Sequence, residues 1–230
     1  MRRTAVLLCL FTTLLSLKNL AQAEALVPSD GEKMAFIKEN FQSVRDQSYY
    51  WQYGWIALFG GSAVLNGAVW GISDSDKEVY DAKVGFVTSA LGVGDLLTNP
   101  MRSHEYADQL EAGQVDLAQA EVWLKAAAER EEYERSWLNH LLAGVVNGIA
   151  GLAVAYDDKR PGDGWLVFAT NTLATEVKIF TAPQQMSKAW KAYQSGDKAA
   201  LTTATAAAKT ADYRWQLAAS GSVLTLNYRF

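Results

Sequence analysis

The chain has 230 residues and a formal net charge of −4, from 21 Lys and Arg against 25 Asp and Glu. That balance argues against phosphate-backbone binding, which needs clustered basic side chains, so no nucleic-acid partner is expected. One cysteine and two histidines give little material for thiol, disulfide or metal chemistry.

The N-terminus reads as a secretory signal, residues 1–23. Arg2 and Arg3 precede a largely apolar run over residues 5–17, and Ala21-Gln22-Ala23 is a small-residue site for cleavage before Glu24. Cys9 would leave with that segment, so the exported chain would hold no disulfide or thiol nucleophile. Removing Arg2, Arg3 and Lys18 takes the formal charge from −4 to −7.

Features then recur at an offset of 81 to 83. Gly31, Gly113 and Gly196 open polar stretches. Trp55 matches Trp137, Asn66-Gly67 matches Asn147-Gly148, and Pro100 matches Pro183. An ordered series of this kind is the signature of a repeat. Each unit reads as a polar helix (32–48; 114–135), a Gly-rich apolar helix (49–73; 136–156), an acidic turn (74–81; 157–164), a returning apolar helix (83–99; 165–182) and a short helix (101–112; 184–195). Proline stops each returning helix, because it lacks an N–H donor and disfavours helix before it. The expected fold class is all-α: two tandem αα-hairpin repeats of about 82 residues, 24–112 and 113–195, with a partial third copy over 196–230. The stretch around Trp190 and Tyr193 is weakly similar to a tetratricopeptide hairpin, without that family's period. Leu224, Leu226, Tyr228 and Phe230 alternate as a strand would and resemble the closing strand of outer-membrane barrels. No other segment supplies barrel strands, so a helix to about Ser220 followed by an extended tail is expected.

Residues 47–73 and 136–156 are uncharged and long enough to cross a bilayer core of about 30 Å. Gly67-x-x-x-Gly71 and Gly144-x-x-x-Gly148 have the small-residue spacing that lets helices approach. The returning helices are uncharged only over 84–94 and 164–175, too short for a full span, and the turns are acidic. A membrane-inserted hairpin pair and a bundle that buries its own Gly-rich helices therefore both stand.

Asp95 and Glu176 are buried-acid candidates at equivalent places. They read either as proton or cation sites within a membrane, or as acids paired with Lys178 or Arg102 where the helices emerge. Asn66 and Asn147 could bond across the repeat interface. Asp74-x-Asp76-x-Glu78 lacks the Gly and closing Glu of a calcium loop. His104, on an exposed helix, and His140, on an apolar one, have no second ligand at helical spacing. No catalytic constellation, cofactor or metal is expected. The expected function is a non-catalytic, exported envelope protein: a membrane-associated helical scaffold whose partners are a lipid bilayer or another envelope protein, with homo-oligomers compatible. The alternatives are a periplasmic binder of an apolar ligand, or a small transporter using Asp95 and Glu176.

Overall fold

A computed structural model describes residues 27–210, 215–220 and 223–228. The signal-segment expectation lies outside them. The described chain is helical from Asp30 to Thr210 apart from its turns.

Helix α1 runs unbroken over Asp30–Ile72, 43 residues, so the polar and apolar helices expected separately are one rod. No proline interrupts it, and Ser29 and Glu32 form a reciprocal capping box at its start. Helix α2 (Asp76–Thr98) returns along it. The turn between them is only Ser73–Ser75, because Ser75 caps α2 by accepting from Glu78 N. Helices α3 (Ser103–Glu111) and α4 (Leu117–Glu134) follow. Ser136 then caps a new helix, α5 (Trp137–Leu152), which ends in a π-helical turn over Ala153–Asp157. Helix α6 (Pro161–Thr181) returns along α5, with proline in its first turn, where the missing N–H costs nothing. Helices α7 (Gln185–Gln194) and α8 (Lys198–Thr210) complete the helical part. Gly113 and Gly196 adopt left-handed φ of 73° and 63° at the turns after α3 and α7, a conformation that favours glycine.

Strands β1 (Trp215–Ser220) and β2 (Val223–Tyr228) pair antiparallel, Trp215 opposite Tyr228. Trp215–Ser220, the end of the helix expected to about Ser220, is therefore strand instead. Trp215, Leu217 and Ala219 alternate as Leu224, Leu226 and Tyr228 do, and that period of two prevails.

Two regions differ in where their apolar side chains go. In the head, the first half of α1 (Phe36, Ile37, Phe41, Val44) packs with Leu110, Leu124, Met186 and Leu201 into a closed core. Tyr106 stacks on Trp123 and meets the Phe41 ring edge-on at that core's border. In the stalk, formed by the rest of α1 with α2, α5 and α6, large apolar side chains point outward. Ile72 is 80% exposed, Trp137 74%, and Val64, Leu65, Leu142, Ile149, Leu166 and Leu173 are all exposed. A second small cluster, Trp51, Leu96, Met101 and Ala182, plugs the boundary between the regions.

Candidate functional site

The boundary is where the sequence's chemistry collects. Helix α1 leaves the head core at Ser48 and buries Trp51 and Gln52 one turn later. The Gln52 amide donates to Leu96 O at 2.8 Å, and its oxygen accepts from Met101 N at 2.8 Å. One side chain thus satisfies a carbonyl at the end of α2 and a donor in the Pro100 loop, groups that a helix end otherwise leaves orphaned. Ser48 Oγ donates to Met101 O at 3.2 Å and lies 3.3 Å from His104 Nδ1. His104 is buried rather than on an exposed face as the sequence suggested. The Tyr49 and Tyr53 rings stand edge-on to it, both at 5.6 Å.

Beside this lies a charge network built from three helices. Lys178 of α6 is 4% exposed and donates to Asp95 Oδ2 of α2 at 2.9 Å. It also meets Glu134 Oε1 of α4 at 2.8 Å, and Glu134 Oε2 accepts from Arg130 at 2.8 Å. Two acids and two bases sum to a neutral quartet, the form in which buried charge is tolerated. Trp51 organises it: the indole N–H donates to Lys178 O at 3.0 Å, while Lys178 and Arg130 sit 5.8 and 5.9 Å from the ring. Arg130 also donates to Asn99 O, and Arg135 donates to Phe180 O at 3.0 Å, near the C-terminus of α6. A cation at that end also suits the helix dipole.

Both acid candidates are therefore engaged, Asp95 with Lys178 as one of the two readings had it. Arg102 instead lies near Glu105 at 3.9 Å. Glu176 meets His140 Nδ1 at 2.8 Å across α5 and α6, a partner the helix-by-helix reading missed. Trp51, Gln52, Arg130, Glu134 and Arg135 were missed too. The one local signal was the Arg130–Glu134 spacing of four on a helix face.

The paired amides act within their own helix pairs. Asn66 donates to Ser62 O at 2.8 Å and lies over Gly85, while Asn147 donates to Thr175 Oγ1 at 3.3 Å. Among the Gly-x-x-x-Gly candidates, Gly67 faces Phe86, but a Cβ at Gly71, Gly144 or Gly148 would meet nothing within 4 Å. The close approaches fall elsewhere. A Cβ on Gly164 would come 2.5 Å from Gly151 O, and one on Gly92 would come 2.9 Å from the Phe59 ring. Spacing of four identified small residues but not the face on which they lie.

A second charged layer joins the stalk tips. Arg160 reaches Asp81 at 2.5 Å and Asp163 at 2.6 Å, and also pairs with Asp158. Lys77 meets Asp163 at 3.1 Å, and Tyr80 Oη donates to Asp157 at 2.7 Å. The two helix pairs are thus tied at both ends by polar contacts. Among the described residues, no group of three or more His, Cys, Asp and Glu could hold a metal ion.

No family model matches the chain, and no curated protein or solved structure matches it.

Proposed function

We propose that the chain is a non-catalytic, membrane-associated helical scaffold of a bacterial-type envelope. The head presents α3, α4 and α7 as a partner surface, and the stalk seats in a bilayer. The observation that carries this reading is the outward apolar face of all four stalk helices, beside a head that closes its own core. Exposed apolar patches beyond a few hundred Å² mark interaction or membrane surfaces. Each large apolar side chain removed from water contributes about 1.5–3 kcal/mol. Helices Asp30–Ile72 and Trp137–Asp157 are long and apolar enough to cross a membrane, and the most apolar window of the first has no buried residue.

The architecture we propose is a duplication. Gly113 and Gly196 share a left-handed turn 83 residues apart. Gln52 and Glu134, 82 residues apart, each reach the C-terminal turns of a returning helix. The units differ where α1 is continuous but α4 and α5 are separated at Arg135 and Ser136.

The apolar-ligand reading finds less support, since Gly151 and Gly164 close directly on each other. The transporter reading finds less too, since Asp95 and Glu176 are both engaged. Alkaline carbonate extraction of membranes from expressing cells tests the proposal. The protein is expected in the pellet, and its release with peripheral proteins would overturn the reading.

A further inference from the structure

We infer that the stalk spans the bilayer, with the head on one side and both tips, residues 73–83 and 157–163, on the other. This rests on the membrane-association reading and goes beyond it, since a stalk could equally lie along one face.

The obstacle in the sequence is that charges leave only short uncharged runs on the returning helices. In the folded stalk, the head-side charges pair across helices, Asp95 with Lys178 and Glu176 with His140, the two acids keeping 33% and 27% of their side-chain surface exposed. Lys178 and Glu134 are buried in the neutral quartet, while Leu97, Phe180 and Trp137 at the same level face outward. The apolar outer band therefore continues past the charges. A neutral, internally paired group avoids most of the roughly 2.5–3.5 kcal/mol that a lone charge costs inside a membrane.

Aromatic side chains ring both ends of that band. At the head end stand Tyr50, Tyr53 and Trp137, and at the tip end Trp70, Tyr156 and Trp165, all exposed. The Lys83 ammonium lies 5.6 Å from the centre of the Trp70 ring, at the tip end. Tyr and Trp collect at both membrane–water interfaces of spanning proteins. At 1.5 Å per residue, Tyr53 to Trp70 covers about 26 Å, and Trp137 to Tyr156 about 28 Å. Hydrocarbon thicknesses run from about 25 Å for outer-membrane proteins to about 30 Å for a typical bilayer.

The tips carry seven acids against four bases, which keeps them in water. A helix lying in the interface needs one polar face, and α1 has no charged residue between Asp46 and Asp74.

The test uses the full chain with Cys9→Ser and single cysteines at Asp76→Cys (tip), Gln114→Cys (head) or Leu65→Cys (mid-band). Each variant is reconstituted into sealed phosphatidylcholine–phosphatidylglycerol vesicles and treated with a membrane-impermeant maleimide, before and after detergent. The expected result is complementary labelling: the fraction reactive at Asp76→Cys from outside equals the fraction protected at Gln114→Cys. Leu65→Cys should react only after detergent. Full labelling of both Asp76→Cys and Gln114→Cys on vesicles that float with the protein would overturn spanning while membrane association stands. Protein that fails to float, with Leu65→Cys protected in a soluble oligomer, would overturn both and assign the band to a second copy.

Discussion

Glu131 lies on α4, 1% exposed, and its Oε2 accepts from Ser187 N at 2.9 Å. It thereby caps the N-terminus of α7, for which Gln184 supplies no side-chain cap. Burial pushes its carboxyl up to about 7, against the partial relief of the Ser187 and Met186 amides. The folded value lies above the ordinary 4.5, so between pH 4.5 and 7 the folded state holds a proton that the unfolded state has lost. Stability from this group therefore falls as pH rises through that window and levels off above 7. The drop is roughly 3 kcal/mol at most. Urea unfolding of the detergent-solubilised protein at stepped pH should show this slope, and Glu131→Gln should flatten it. Lys178 is the second residue with a defined consequence. Lys178→Met takes the lysine from Asp95 and leaves Glu134 with Arg130 alone, and should cost about 3 kcal/mol in the same measurement, the low end for a broken buried pair, because one net negative charge remains uncompensated. Adding Glu134→Gln and Asp95→Asn to Lys178→Met should recover part of the loss. No recovery would mean that Lys178 acts through its packing under Trp51 rather than through its charge.

Among the elements, the glycines separate helix contacts from helix surface. Gly164→Ala sets a Cβ 2.5 Å from Gly151 O and 2.7 Å from the Ala155 Cβ, so α6 must move off α5. Strain of this kind typically costs 1–3 kcal/mol. Gly144→Ala meets open space and should stabilise by up to about 1 kcal/mol through helix propensity alone. Thermal unfolding followed by circular dichroism gives the order of the two, and the reverse order would contradict the α5–α6 packing. The sequence marked both positions only as glycine in apolar helices. Which face each occupies depends on the helix crossing, and that depends on Phe168 seating against Gly151 rather than against Gly148, the position matching Gly67. Helix α1 illustrates the converse. Its continuity through Tyr49 was readable only from the lack of a proline, since Ser43 and Asp46 have the spacing of a cap within it, whereas Ser136 does cap α5.

For the whole molecule, the division into a closed head and an outward-facing stalk is what turns composition into a functional reading. The apolar segments, the acidic turns, the prolines ending α2 and α6 and the glycine turns all stood in the sequence, because each is enforced by covalent geometry or by short-range hydrophobic pattern. The candidate site was legible only as two acids with Lys178 or Arg102 on offer as partners. Asp95 and Lys178 are 83 residues apart, Trp51 and Lys178 are 127 apart, and Glu134 lies on a helix that reads as a solvated polar face. Their meeting depends on how α2, α4 and α6 dock, which no local periodicity encodes. The sequence alone determined where helices form and which of them are apolar, since those follow from residue-by-residue preferences. Only the tertiary structure decided that Lys178 turns inward and that Asp95 and Glu176 pair, with Lys178 and His140. That choice follows from the cost of leaving a charge unpaired beside an apolar surface, which is settled between helices rather than within one.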